Sequence, residues 1–157
     1  IGAGKGLVTY HKGMFHHHRN IAKEDYQITM FSSDAIDSIH VYRSSSSSIT
    51  NLVSDLQVFL QGSLLQEARA TIVTGDFNIC LKEQPNNILT TFLRNQGFSQ
   101  LTQAATHIAG GQIDHVYFRD LTDTFETPDL LRVSPYYSVH DALCTTLKPS
   151  QVENILI

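Results

Sequence analysis

Ala70 to Thr74 is a short apolar run that empties into Gly75-Asp76-Phe77-Asn78. A run without polar alternation reads as a buried central strand, one that other layers must cover on both faces. The chain therefore has to supply neighbouring strands and covering helices, and its other segments read that way. Tyr26 to Phe31 alternates strictly, as a half-buried strand does. Gly6 to His11 and Ile36 to Tyr42 also read as strands, the latter with Ile36, Ile39 and Val41 as its apolar members. Ser32-Ser33-Asp34 supplies the turn between Phe31 and Ile36.

Two helices are expected. Leu52, Val53, Leu56, Phe59 and Leu60 recur at the helical period, after a five-serine loop, with Thr50 or Asn51 as cap and Gly62 as stop. Asn87 to Asn95 puts Ile88, Leu89, Phe92 and Leu93 on one face; Gly97 ends it, and Phe98 folds back over the end. Ile113 to Phe118 and Asp141 to Leu147 complete the strands. No internal repeat and no domain boundary is visible, so residues 1–157 read as a single mixed α and β domain.

Charged residues are 17% and hydrophobic ones 41%, which excludes wholesale disorder. The first 23 residues hold four bases (Lys5, Lys12, Arg19 and Lys23) and four histidines but no acid; the rest holds seven bases against fifteen acids. A protein living on bulk nucleic-acid affinity is usually basic overall, so the ordinary reading of this basic edge is a solvated surface. Cys80 and Cys144 cannot build a disulfide framework, and a reducing compartment is the simpler reading. No apolar run approaches the ~20 residues of a membrane span, and the start lacks a signal peptide's apolar region. The expected setting is nuclear or cytoplasmic, neither membrane-bound nor secreted. Because Ile1 stands where a methionine would begin a protein, a piece of something longer is expected.

Two tempting motifs carry little. Gly2-Ala3-Gly4-Lys5-Gly6 has the wrong glycine spacing for a phosphate loop and precedes a strand rather than a helix. His16-His17-His18 cannot all point at one metal from a regular element, so a surface loop is expected. Gly75-Asp76-Phe77-Asn78 carries more. Phe77 should turn inward as an anchor, leaving Asp76 and Asn78 on one side, where a carboxylate and an amide can orient a water or contact a phosphate or metal. An Asx turn would use the same residues. Ile113-Asp114-His115-Val116 puts a carboxylate in an apolar strand, and Ser138-Val139-His140-Asp141 offers a histidine. A buried Asp that holds an imidazole fixes its tautomer and readies it for a phosphoryl oxygen.

Taken in order, Val41-Tyr42-Arg43, Gly75-Asp76-Phe77-Asn78, Ile113-Asp114-His115-Val116-Tyr117 and Ser138-Val139-His140-Asp141-Ala142-Leu143 resemble the endonuclease/exonuclease/phosphatase superfamily, from Gly6 to Leu147. The resemblance implies an α/β (α+β) fold, a four-layer sandwich of two mixed β-sheets flanked by helices. It also implies Mg²⁺-dependent phosphoester hydrolysis, with Mn²⁺ as a possible substitute. By resemblance Asp76 activates or orients the attacking water, and Asn78 positions the phosphate and helps Asp76 hold the metal. His140 then binds the scissile phosphate, Asp114 orients His140, and Tyr42 lies near the phosphate. The implied substrate is nucleic acid, DNA rather than RNA, and the style of the motifs resembles endonuclease domains of mobile elements, with other domains of a longer polypeptide as partners.

Two departures stand out. Val139 replaces the Asp that precedes the family's histidine. The family's Asn and metal-binding Glu lie on strands before the one resembling Gly6 to His11, and Glu24, Asp25 and Asp34 come too late to replace that Glu. With those N-terminal strands missing, the expectation for this chain is weak turnover or none. Two other functions stay open: a non-catalytic remnant that at most binds nucleic acid, and a phosphomonoesterase of the same superfamily.

Overall fold

A computed structural model describes residues 7–9, 13, 17–64 and 70–150. In chain order its elements are β1 (His17–Ala22), β2 (Tyr26–Ser32), β3 (Ile36–Arg43), α1 (Ile49–Leu64), β4 (Ala70–Asp76), α2 (Ile88–Asn95), β5 (Ser99–Gln100), β6 (Asp114–Arg119), β7 (Asp129–Val133) and β8 (Ala142–Thr146). Six strands form a mixed sheet in the order β1-β2-β3-β4-β6-β5, and β7 pairs with β8 in a second, two-stranded sheet. Only β3 and β4 run parallel, joined through α1; the other pairs are antiparallel. The architecture is the mixed α+β sandwich that the motif order implies.

Period-two alternation sends one face of the large sheet to the helices. Tyr26, Ile28 and Met30 of β2, Ile39 and Val41 of β3, Val73 of β4 and Tyr117 of β6 meet Leu52, Leu56, Phe59 and Leu60 of α1 and Leu89 and Leu93 of α2. Ile36 does not join Ile39 and Val41, because three residues along a strand reverse the side. The buried positions flanking those two are Asp37 and Arg43. Ile88 likewise leaves the buried face of α2 and stands exposed.

Several local expectations change. Leu7 to Thr9 form no strand, although the Leu7 amide donates to Gln27 Oε1 at 2.8 Å; Gly6, Tyr10 and His11 lie outside the described residues. His17 and His18 open β1 instead of sitting in a loop, since pairing with β2 satisfies the backbone whatever the side chains are; His16 lies outside the described residues. Ser48, rather than Thr50 or Asn51, caps α1: its hydroxyl accepts from the Asn51 amide at 3.4 Å. Any serine of the run has the chemistry for this, so the spacing alone could not choose. The helix continues past Gly62, whose helical penalty of about 1 kcal/mol is too small to end it. Helix α2 ends as expected: Phe98 donates to the Leu93 carbonyl at 3.0 Å and Gly97 to that of Arg94 at 2.9 Å, with Gly97 at φ +85°.

Phe77 is fully buried and stacks on His115 at 4.9 Å between ring centroids. His115 Nε2 donates to the Ile79 carbonyl at 2.8 Å, and Nδ1 accepts from the Tyr117 hydroxyl at 3.1 Å. Burial lowers the His115 pKa from 6.5 to about 4. Between those values the unfolded chain takes up a proton that the folded chain refuses. Acidification through this window should therefore destabilise the fold by up to about 3 kcal/mol. Urea unfolding at pH 7 and pH 4.5 should show His115→Gln losing much less stability than the wild type. An equal loss in both proteins would contradict this assignment.

Candidate active site

The site begins where β4 presses on β3. Val41 faces Gly75 in the parallel register. A Cβ on Gly75 would fall 1.8 Å from the Val41 carbonyl oxygen, and Gly75 takes φ +151°. The close approach lets the strand turn out of the sheet into Asp76-Phe77-Asn78. Asp76 Oδ1 accepts from the Asn78 amide at 3.0 Å, so the Asx turn does form. Asn78 takes φ +50° and donates from Nδ2 to the Arg43 carbonyl at 2.7 Å, which leaves its Oδ1 as the available acceptor.

Arg43 closes this loop from beneath. Its buried guanidinium donates to the Phe77 carbonyl at 2.9 Å, to the Asn78 carbonyl at 3.4 Å and to the Ser47 carbonyl. Arg43 belongs to the Val41-Tyr42-Arg43 motif, which by itself assigns it no task. The available signal was a cation in phase with Ile39 and Val41 on β3.

Sheet register does the rest. Tyr42 of β3 faces Asp76 of β4, and Asp76 faces Asp114 of β6, so the three stand in one row across three strands. Their side chains share the face opposite the helices. The Thr106 hydroxyl, fully buried, accepts from the amides of Ile113 at 3.2 Å and Asp114 at 3.0 Å, and so fixes the start of β6. His140 arrives from the β7–β8 connection, held by an isolated bridge to His107 and by the Asp141 amide on the Thr106 carbonyl at 2.7 Å. Its Nδ1 lies 3.0 and 3.2 Å from the two Asp114 oxygens. Since a carboxylate only accepts, Nδ1 carries the proton and Nε2 is left for a ligand.

A ligand atom from each of Asp76, Asp114 and His140 lies within 4.8 Å of the others. Burial pushes the Asp76 pKa up, and the facing Asp114 carboxylate pushes it further; the Asn78 amide, His140 and His107 act the other way. A divalent cation at Asp76 would relieve that repulsion, so the oxygen donors here fit one. His107 was not foreseen. It stands edge-on to His140, with 4.8 Å between ring centroids, and its Nδ1 accepts from the Ala109 amide at 3.1 Å. No motif marks it; only the bridge to His140 brings it in.

Neither a family model nor a curated protein matches the sequence. Solved structures do. The endonuclease domain of TRAS1, a telomere-specific non-LTR retrotransposon, matches with a TM-score of 0.57 at 13% identity, over 87% of this chain and 70% of its own. CdtB, the biologically active subunit of cytolethal distending toxin, gives 0.61 at 12% identity, over 83% of this chain and 56% of its own. A mannosyl-6-phosphatase of Bacteroides thetaiotaomicron gives 0.54 at 12% identity, over 78% and 56%. The chain has the endonuclease/exonuclease/phosphatase fold. It spans little more than half the length of the last two of these proteins.

On the endonuclease/exonuclease/phosphatase fold, the residues singled out from sequence fall into two groups. Asp76, Asp114 and His140 converge, while Tyr42 flanks them in the row and Asn78 is turned back onto Arg43. Val139, the departure from the family pattern, is half exposed and offers its carbonyl to the Ile108 amide at 2.8 Å. The fold is compatible with nuclease and phosphatase chemistry alike, so the substrate has to be argued from the site.

Proposed function

We propose that this site hydrolyses phosphodiesters of nucleic acid, DNA before RNA, with the help of a divalent cation. The observation that carries the reading is the His140–Asp114 pair held opposite Asp76. Asp76 and the free Oδ1 of Asn78 would hold Mg²⁺, or Mn²⁺ in its place. When bound, the ion polarises a phosphoryl oxygen and lowers the pKa of a water.

The chain's own residues do the following. His140, protonated on both nitrogens, donates from Nε2 to a phosphoryl oxygen and stabilises its developing charge, while the Asp114 carboxylate on Nδ1 favours that cationic ring. Asp76 orients the attacking water. Asn78 sets the position of the phosphate, and Tyr42 lends a hydroxyl from the end of the row. Mg²⁺ demands near-octahedral oxygen ligation. Of the two carboxylates in the cluster, Asp114 is already shared with His140, so we expect slow turnover from this chain. A mobile-element polypeptide with further domains is the setting we favour, on the likeness to the TRAS1 domain. A nuclear or cytoplasmic location suits the two free cysteines, and among the described residues no helix is long and apolar enough to cross a membrane.

Phosphomonoester hydrolysis is the second reading, favoured by the likeness to the mannosyl-6-phosphatase. Incubating the chain with a labelled oligonucleotide and, separately, with mannose 6-phosphate separates the two. Strand cleavage that needs Mg²⁺ and stops in EDTA is expected, with no phosphate released from the sugar. Phosphate release without strand cleavage would move the site to the second reading. Neither activity would leave the non-catalytic remnant.

A further inference from the structure

Among the described residues, four of the ten exposed large hydrophobic side chains gather beside His140: Ile108, Tyr136, Tyr137 and Val139. Tyr136 and Tyr137 form the turn between β7 and β8, 100% and 80% exposed, four and three residues from His140. Even a fully extended chain would place them no more than about 14 Å from it. Their rings stand at 87° with 5.3 Å between centroids, which presents two aromatic faces to solvent in different directions. Two tyrosines so exposed gain nothing for the fold, and a flat apolar face at water's edge suits a stacking partner.

Residues on both sides of the turn wall an open cleft of about 210 Å³, with Arg132, Ser138, Val139, His107, Ile108 and Asp141 among its lining. That is below the roughly 300–1,000 Å³ of a whole-ligand pocket. It has room for one flat ring. Its charge selects the occupant further. Arg132 is already engaged, donating to the Ala105 carbonyl at 2.6 Å and lying 3.5 Å from Asp141 Oδ2. A cation so paired beside a carboxylate does not attract a phosphate, whereas a neutral ring with polar edges meets apolar walls and hydrogen-bonding groups.

We infer that the Tyr136–Tyr137 turn and the cleft behind it form a subsite for unpaired nucleobases flanking the phosphate at His140. The inference rests on the phosphodiester reading and adds to it a substrate class, a strand with unstacked bases. Bases inside a duplex are already stacked and offer no free face; an unpaired base offers one whatever its identity.

Fluorescence anisotropy of the whole chain with three labelled probes tests this: a single-stranded 12-mer, the same backbone with every base removed, and a blunt duplex. The wild type should bind the single strand at least tenfold more tightly than the other two. The double variant Tyr136→Ala/Tyr137→Ala should erase that preference without changing affinity for the base-free strand. Tyr136→Phe/Tyr137→Phe, which keeps both faces, should retain it. If the alanine variant keeps the tenfold preference, or the wild type binds the two single strands equally, the stacking subsite falls and the phosphodiester reading stands. A wild type that binds none of the three probes overturns both.

Discussion

Gly75→Ala is expected to leave little or no folded protein. A Cβ at this position would lie 1.8 Å from the Val41 carbonyl oxygen, 2.7 Å from the carbonyl carbon and 2.9 Å from the amide nitrogen. None of these atoms belongs to a flexible side chain. They are the backbone of β3 at the register point where β3 and β4 run parallel, so relief would require the two strands to part. The backbone at φ +151° is also one that alanine rarely adopts. The cost should exceed about 4 kcal/mol, a large part of the roughly 5–15 kcal/mol available to a domain. Gly97→Ala makes the control. It has a left-handed backbone too, but its nearest neighbour is the Arg119 side chain at 3.6 Å, so only the backbone strain of about 1 kcal/mol remains. Thermal melting by circular dichroism should show Gly97→Ala folded with a lowered midpoint and Gly75→Ala without a cooperative transition. A Gly75→Ala variant melting near the wild type would mean that β3 and β4 do not approach as described.

What the sequence disclosed followed from how local each signal was. The Asn87-to-Phe98 helix was legible except for Ile88, which stands exposed, because the apolar period and the stopping glycine lie within twelve residues. The strands Tyr26–Ser32 and Ala70–Asp76 were legible from alternation and from its absence. Strand β7 was missed because Asp129-Leu130-Leu131-Arg132-Val133 has neither pattern; most of it is exposed, so burial never selected one. In the site, Asp76, Asp114 and His140 were nameable from motif order, but their convergence depends on register between strands far apart in sequence. Arg43 and His107 show the limit from the other side. Each acts through a contact that no spacing encodes: Arg43 through carbonyls more than thirty residues away, His107 through a bridge to His140.

His140→Ala should carry the largest catalytic effect. The ring is held on Asp114 through Nδ1, so Nε2 is the group that can meet a phosphoryl oxygen as charge develops there. Losing a positioned donor or acid–base group of this kind lowers rates by about 10²- to 10⁴-fold. The fold should survive, since the ring is part-exposed and lies outside the buried core between sheet and helices. Asp114→Asn should follow it more mildly. It would remove the charge facing Asp76 along with the carboxylate that favours the cationic ring, and so loosen the site without emptying it. The most direct measurement is the rate at which the wild-type chain and His140→Ala cleave a labelled oligonucleotide in Mg²⁺, each repeated in excess EDTA. The account predicts slow, EDTA-sensitive cleavage by the wild type and at least a hundredfold loss in the variant. Cleavage that survives EDTA, or a variant as fast as the wild type, would contradict it.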